Sequence, residues 1–211
     1  MTSRQVTIDI PGGTLPGDLV VPSPANGLVI FAHGSDSSRH SPRNQYVAHV
    51  LNMAGLATLL FDLLSSEEAS DRRNVFDIPL LAERLTSAHD WALGRNGVGD
   101  LAVAYFGAST GGAAAVWSAG GGSEDVSAVV SRGGRVDLAG ERLAHLTAPT
   151  MLIVGERDTD VLELNRESQR KLRCVNQLEV VAGATHLFSE PGALERFAEL
   201  ARDWFRTHLP A

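Results

Sequence analysis

The residue that first suggests chemistry is Ser109, in the motif G-A-S-T-G at 107–111. An apolar run precedes it, and a segment rich in glycine and alanine follows. A nucleophilic serine on a sharp turn between a strand and a helix takes a strained backbone conformation, so the residues two places away must be small. Gly107 and Gly111 meet that requirement. The N–H of Thr110 would then form half of an oxyanion hole, although a helix cap by Ser109 or Thr110 fits this stretch equally well.

A serine nucleophile needs a base, and the base needs a carboxylate that orients it. Candidates follow two later apolar runs, namely Asp158 in G-E-R-D (155–158) and His186 in G-A-T-H (183–186). If the runs are parallel strands, Ser109, Asp158 and His186 all lie at carboxyl ends of strands, where such sheets bind ligands. The order serine, aspartate, histidine is also the order found in this kind of sheet. We therefore predict a catalytic triad of these three residues.

Each partner of Ser109 also has a purely structural interpretation. Asp158 could cap the helix that follows it, although Asp160 lies closer to the predicted helix start and suits that task better. His186 is one of seven histidines, and a lone histidine is more often structural than catalytic. Its place in a glycine-led loop after the last strand favours the catalytic interpretation.

The second half of the oxyanion hole is expected in the sequence His33-Gly34-Ser35, which follows another apolar run. A glycine lets the backbone turn so that the next N–H faces the nucleophile. We assign that N–H to Ser35. His33 is expected to hold the loop by hydrogen bonds and not to act as a second base.

The elements that must position these residues alternate along the chain, which is typical of an α/β fold with a mostly parallel sheet of eight strands and helices on both faces. The short link between the first two strands predicts that this pair is antiparallel. The predicted strands are Gln5–Ile10, Asp18–Val21, Gly27–Ala32, Ala57–Phe61, Leu101–Phe106, Val126–Val130, Thr150–Val154 and Leu178–Val181. The predicted helices are Asn44–Ala54, Ile78–Gly94, Thr110–Ala119, Val161–Leu172 and Ala193–Thr207.

Composition limits the classes of protein. The 211 residues, 44% hydrophobic and 20% charged, predict one domain over 1–211. A net charge of -7 without a basic run argues against nucleic acid as a partner. The absence of a secretory signal pattern and of a membrane-spanning apolar run predicts a cytoplasmic protein that does not enter a membrane. The one cysteine, Cys174, excludes an internal disulfide, and no cysteine and histidine spacing is typical of zinc sites.

Together, H-G-S at 33–35, G-A-S-T-G, G-E-R-D and G-A-T-H make the chain resemble the α/β-hydrolase superfamily, and in particular its compact dienelactone-hydrolase-like and carboxylesterase members. The resemblance implies an acyl-serine mechanism in which Ser109 attacks, His186 takes the proton, Asp158 steadies the imidazolium, and Ser35 and Thr110 hold the oxyanion. It implies no cofactor or metal. Its substrate would be a small-molecule carboxylic ester, lactone or thioester, cleaved by a monomer or homodimer.

The residue at position 109 departs from the dienelactone hydrolases, and this difference narrows the set of expected reactions. Dienelactone hydrolases carry a cysteine where this chain has Ser109, so ester hydrolysis is the expectation here. A haloalkane dehalogenase would need aspartate at that position, which excludes that branch. An acyltransferase and a ligand-binding relative with an idle triad remain the alternatives.

Two chain segments and two arginines near the predicted site also bear on which substrates it could bind. The segment 131–149 is too short for an inserted cap domain, and 62–77 is expected to be a solvated loop in preference to a mobile flap. Arg39 and Arg132 are candidates for binding an anionic substrate, since guanidinium matches a carboxylate with two hydrogen bonds. The alternative is that Arg132 pairs with Asp36 or Asp137 and only shapes the loops.

Overall fold

The structure, a computed structural model, describes residues 1–122 and 125–209. One sheet holds eight strands in it: β1 (Thr2–Ile10), β2 (Gly13–Val21), β3 (Leu28–Ala32), β4 (Ala57–Phe61), β5 (Val103–Ala108), β6 (Val126–Arg132), β7 (Thr150–Gly155) and β8 (Asn176–Val181). Their order across the sheet is β1-β2-β4-β3-β5-β6-β7-β8. The pairs β1/β2 and β2/β4 are antiparallel, and the other neighbouring pairs are parallel. This confirms the predicted sheet and its antiparallel first pair.

Helices cover both faces of this sheet. They are α1 (Pro42–Met53), α2 (Ser66–Ser70), α3 (Arg72–Val75), α4 (Ile78–Leu93), α5 (Thr110–Ala119), α6 (Arg142–His145), α7 (Thr159–Gln169) and α8 (Ala193–His208), with a 3₁₀ turn at Val136–Ala139. Side chains alternate between the faces, as the pleat of a strand requires. In β3, Leu28 and Ile30 join the core beneath α4 and α5, whereas Val29 and Phe31 join the core beneath α1 and α8. Both faces of the central strands are therefore buried.

The segment 62–77 is not the solvated loop that the sequence predicts. It forms α2 and α3, and the side chains of Leu63 and Leu64 just before them are buried. A capping box starts α2, because the Ser65 hydroxyl accepts the N–H of Glu68 and the Glu68 carboxylate accepts the N–H of Ser65. The Asp71 carboxylate accepts the N–H of Arg73 at the start of α3. Local capping, which leaves little trace in hydrophobic periodicity, orders this segment.

Helix α7 also begins earlier than predicted, at Thr159 instead of Val161. Asp160 therefore lies inside the first turn and Asp158 takes the cap position, but the Asp158 side chain makes no capping hydrogen bond. The expectation that Asp160 caps this helix is wrong. In the described residues, no helix is long and apolar enough to cross a membrane.

Candidate active site

Ser109 occupies a single-residue turn between β5 and α5. Its backbone has φ 51° and ψ -120°, a conformation that residues with a Cβ adopt only under strain. The turn is possible because both flanking glycines touch backbone. A Cβ on Gly107 would stand 2.4 Å from the carbonyl oxygen of Gly111, and one on Gly111 would stand 2.1 Å from that of Ala32. The Ser109 side chain makes no capping hydrogen bond, so the helix-cap interpretation does not account for this serine.

Asp158 and His186 meet through a hydrogen bond of 2.6 Å between Nδ1 of the imidazole and Oδ2 of the carboxylate. The carboxylate is largely buried, with 13% of the side chain exposed, whereas 39% of the histidine side chain is exposed. A carboxylate at this position accepts the Nδ1 proton and leaves Nε2 as the ring nitrogen for proton transfer. Asp158 follows β7 and His186 follows β8, so both lie at the carboxyl edge of the sheet with Ser109.

The loop that carries His186 is held by acidic residues that sequence reasoning missed. The Glu190 carboxylate accepts hydrogen bonds from the N–H and the hydroxyl of Thr185, at 3.0 and 2.7 Å. These hydrogen bonds hold the pKa of Glu190 below its ordinary value. Glu156 likewise accepts the N–H of Gly183 at 2.7 Å. Neither contact follows a known local motif, so only the folded chain reveals it.

The loop after β3 approaches Ser109 through Gly34. A Cβ on Gly34 would stand 3.1 Å from the Ser109 Cβ and 3.2 Å from the carbonyl oxygen of Ala108. This close approach brings Ser35 to the cleft that Ser109 lines. Outside helices and strands, no backbone hydrogen bond in the described residues uses the N–H of Ser35 or of Thr110. These two N–H groups are the candidate donors to an oxyanion.

His33 ties this loop to the end of β4. Its Nε2 accepts the N–H of Leu63 at 3.0 Å, and its Nδ1 lies 2.9 Å from the carbonyl oxygen of Gly34. The first bond requires an unprotonated Nε2, so Nδ1 carries the proton and donates to Gly34. Burial lowers the pKa of His33 from its ordinary value, which keeps the ring neutral.

A cleft of about 350 Å³ joins Ser109 and His186 to two arginines, Arg43 and Arg132. We call it the arginine cleft. Arg132 ends β6, next to Ala108 in the neighbouring strand, and Arg43 is the second residue of α1. Asp36 lines the same cleft with an exposed side chain. The arginine cleft is thus continuous with the candidate nucleophile and base.

Arg132 is 8% exposed, and its Nη1 is buried without a hydrogen-bond partner. In 1–122 and 125–209 neither it nor Arg43 takes part in an ion pair, and Asp137 pairs instead with Arg135. Burial, with a smaller contribution from the positive charge of Arg43, lowers the pKa of Arg132 to about 10. The Phe197 ring, 6.0 Å away, is a weak cation–π partner. The proposed pairing of Arg132 with Asp36 or Asp137 is absent.

Arg39 has a different environment. Its guanidinium pairs with Asp62 through Nη1 and with Asp18 through Nε, the latter at 3.3 Å. Its backbone N–H also donates to Asp62. Arg39 does not line the arginine cleft, so its charge is used in tying the loop after β3 to β2 and to the end of β4. The structure separates the two arginines that the sequence proposed together.

A second, smaller cavity of about 190 Å³ lies beneath α2 and α3, on the other side of the loop after β3. Ser35 and Thr110 line it, but Ser109 and His186 do not. Its apolar wall is built from five side chains: Leu63, Leu64, Ala69, Val75 and Leu81. We call it the α2–α3 pocket. It shares Gly34, Ser35 and Ser37 with the arginine cleft, so the expected oxyanion position lies between the two cavities.

Comparison with known proteins finds relatives of known structure. The chain is 50% identical to a dienelactone hydrolase from Anabaena variabilis, with a TM-score of 0.96 over 99% of this chain and 98% of that one. Est1E from Butyrivibrio proteoclasticus is 17% identical with a TM-score of 0.82, covering 97% and 98% of the two chains. No protein-family model matches the sequence.

Two curated proteins from Mycobacterium tuberculosis, strains CDC 1551 and H37Rv, are each 55% identical to the chain over 208 residues. Both carry the name "Putative phosphoribosyl transferase". The match covers 98% of this chain but 47% of each relative. The chain therefore spans about half the length of these curated relatives.

Proposed function

The chain belongs to the dienelactone hydrolase family of α/β-hydrolases, and from that premise we propose that it hydrolyses carboxylic esters through an acyl-enzyme formed on Ser109. The observation that carries the proposal is the strained turn at Ser109, beside a histidine whose Nδ1 is hydrogen-bonded to a buried carboxylate. A strained serine between two glycines has no structural purpose evident in the fold. It does present a hydroxyl at the edge of the sheet.

In the proposed reaction, His186 Nε2 takes the proton of the Ser109 hydroxyl as its oxygen attacks the ester carbonyl carbon. The N–H groups of Ser35 and Thr110 hydrogen-bond to the negative carbonyl oxygen of the tetrahedral intermediate. His186 then gives its proton to the leaving alcohol, and the carbon–oxygen bond breaks. Water, deprotonated by His186, releases the acid in the same way and restores the serine. Asp158 stabilises the imidazolium formed in each half.

Lactones and thioesters would react by the same steps, so a panel of substrates must decide among them. The direct test is labelling with a fluorophosphonate probe, followed by rates on ester, lactone and thioester substrates. We expect Ser109 to be labelled and activated esters to be hydrolysed. Labelling of no residue would indicate an idle triad and a ligand-binding protein. Transfer of the acyl group to an added alcohol, in preference to water, would indicate an acyltransferase.

The name of the Mycobacterium tuberculosis relatives raises phosphoribosyl transfer as a second candidate. The strained backbone at Ser109 favours hydrolysis, because a loop that only cradles phosphate does not require it. Incubation with 5-phosphoribosyl 1-pyrophosphate and a purine or pyrimidine base tests this candidate. Release of pyrophosphate by this chain would support transfer, and its absence together with ester turnover would support the hydrolase.

Location and assembly follow as further proposals. The acidic net charge and lone cysteine favour a cytoplasmic protein whose partner is a small molecule and not nucleic acid. We propose a monomer or homodimer, which light scattering after gel filtration would distinguish from larger assemblies.

A further inference from the structure

We infer that the substrate lies across the oxyanion hole with a short apolar acyl chain in the α2–α3 pocket and an anionic leaving group against Arg43 and Arg132. This orientation rests on the proposed ester hydrolysis and adds to it the chemical class of each half of the ester. It combines two cavities that share the loop after β3, one lined by two arginines and the other by five apolar side chains and no arginine or lysine.

The arginine cleft holds two positive charges, Arg43 and Arg132, that have no ion-pair partner in the described residues. Three features make its arginines unfavourable in the folded protein without a ligand. Arg132 is nine-tenths buried with an unpartnered Nη1. Arg43 lies near it with the same charge and lowers its pKa. Arg43 also sits in the first turn of α1, which holds no acidic residue and where the helix dipole disfavours a cation.

These penalties disappear when an anion enters the cleft. A carboxylate or phosphate oxygen would supply the missing partner of Arg132 Nη1 and offset the repulsion between the two guanidinium groups. Asp36 does not perform this task, since it forms no ion pair with either arginine and its side chain is exposed. Perturbed charged groups in a cleft beside a nucleophile are typical of ligand sites.

The position of His186 assigns the anion to the leaving group. His186 must reach the leaving oxygen to protonate it, so the alcohol half of the ester lies on the side of His186. That side is the arginine cleft, which both His186 and Ser109 line. The acyl half then extends past Ser35 and Thr110 into the α2–α3 pocket, which neither catalytic side chain lines.

The character and size of the acyl chain follow from the other cavity. The α2–α3 pocket presents five apolar side chains together with serine and threonine residues, and its one carboxylate, Asp62, is already paired with Arg39. A dry apolar cavity of about 150 Å³ holds a six-carbon ring, and this pocket measures about 190 Å³. An acyl chain of roughly six carbons therefore fits, and a second charge there would have no partner.

The test uses three hexanoate esters with leaving groups of one shape: 4-carboxyphenol, 4-phosphonophenol and the neutral 4-carbamoylphenol. A fourth substrate, phenyl hydrogen adipate, moves the charge from the leaving group to the far end of the acyl chain. A fifth, phenyl hexanoate, is its uncharged reference. Each kcat/KM is divided by the rate of hydrolysis by hydroxide, which removes intrinsic reactivity. We expect an anionic leaving group to raise the corrected kcat/KM about 10- to 100-fold over the neutral one. The acyl-end carboxylate should lower it.

Variants separate the two halves of the proposal. Arg132→Gln should abolish the gain from the anionic leaving group, measured as the ratio of the corrected kcat/KM for the anionic ester to that for the neutral ester in the same variant. Arg135→Gln, in the next residues of the same segment but paired with Asp137, is the matched control and should not change this ratio. Ala69→Leu should shift the preferred acyl chain from hexanoyl toward acetyl, whereas Ser70→Leu, at a neighbouring residue of α2 that does not line the pocket, should not.

The outcomes distinguish the inference from the function beneath it. Labelling of Ser109 with equal turnover of charged and neutral leaving groups would overturn the inference and leave the hydrolase intact. Preference for the acyl-end carboxylate would overturn the orientation. Absence of labelling and of turnover on all five esters would overturn the proposed function itself. A larger gain for the phosphonate than for the carboxylate supports the inference and identifies the anion as a phosphate, and the reverse identifies a carboxylate.

Discussion

Arg39 lies in the loop after β3 and Arg132 at the end of β6, and the fold surrounds them differently. Arg39 is 17% exposed and shares its charge between Asp62 and Asp18. Arg132 is more deeply buried, faces another arginine and has no carboxylate within ion-pair distance in the residues described. Sequence position alone suggested the same role for both.

The difference shows how a structural cation can be told from a functional one. A charge that serves the fold is met by opposite charges of the fold, because an isolated buried charge is strongly unfavourable. A charge that serves a ligand is left unmet until the ligand arrives. The number and sign of the partners, and not the exposure of the side chain, is therefore the useful criterion.

The largest expected effect tests whether Arg132 lies beside a reacting serine at all. Ser109→Ala, His186→Ala and the double variant should each lose about 10⁴- to 10⁶-fold in kcat, with nearly equal losses, because the two residues act as one unit. Steady-state kinetics on neutral and anionic esters provide the measurement. Losses that multiply in the double variant would contradict the triad, and the comparison of the arginines would lose its catalytic meaning.

A smaller loss is expected from the carboxylate that orients His186. Asp158→Asn should lower kcat by up to about 10⁴-fold without unfolding the protein, since the amide favours the wrong histidine tautomer. Asp160→Asn, two residues along and inside the first turn of α7, is the control and should retain activity. If the control loses activity and Asp158→Asn does not, the catalytic carboxylate is Asp160.

Removing Arg39 and removing Arg132 should change the free energy of unfolding in opposite directions. Arg39→Met should lower the free energy of unfolding by about 2 kcal/mol, because two partly buried carboxylates lose their cation. Arg132→Met should raise it by about 1 kcal/mol, because an unpaired buried charge is removed from the ligand-free protein. Chemical denaturation of both variants and of Arg135→Met gives the values. A destabilised Arg132→Met protein would identify a structural arginine and remove the contrast.

The smallest effect concerns His33, in the loop that also carries Arg39. Burial lowers the pKa of His33 in the folded protein, whereas an unfolded histidine titrates near 6.5. Below that pH the unfolded chain binds the proton more readily, so the free energy of unfolding falls as the pH falls. From pH 7 to pH 5 the free energy of unfolding should fall more in the parent protein than in His33→Gln, as chemical denaturation at the two pH values would show. Equal losses in the two proteins would show that His33 titrates normally.

Much of the fold can be predicted from the sequence because its hydrophobic periodicity matches the burial of side chains in the structure. The strand Ala57–Phe61 and the helix Thr110–Ala119 have the predicted bounds. The antiparallel hairpin is longer than predicted, because Gly13, Pro16 and Gly17 suggest a break where β2 continues in pairing with β1. The helices α2 and α3 escaped prediction since they are short and bury no side chain of their own.

The candidate site, like the fold, contains residues that the sequence predicts and others that it does not. Ser109, His186 and Ser35 follow from motifs at strand ends, and the structure brings all three to one cleft. The place of Arg43 in the arginine cleft and the α2–α3 pocket itself could not be predicted from the sequence. Both depend on tertiary packing between segments far apart in the chain. Whether a charge finds a partner is likewise decided by the fold, which is why Arg39 and Arg132 could not be separated beforehand.

The two short helices that roof the α2–α3 pocket have a further consequence. They add no strand to the sheet and bury no side chain, yet residues 69 and 75 within them set the wall of that pocket. Exposed connecting segments accept insertions and deletions more readily than strands do. A lineage can therefore lengthen or shorten 66–75 and reshape the pocket while the turn at Ser109 stays the same. If the pocket binds the acyl chain as we propose, the length of acyl chain that the protein accepts can evolve with little effect on folding.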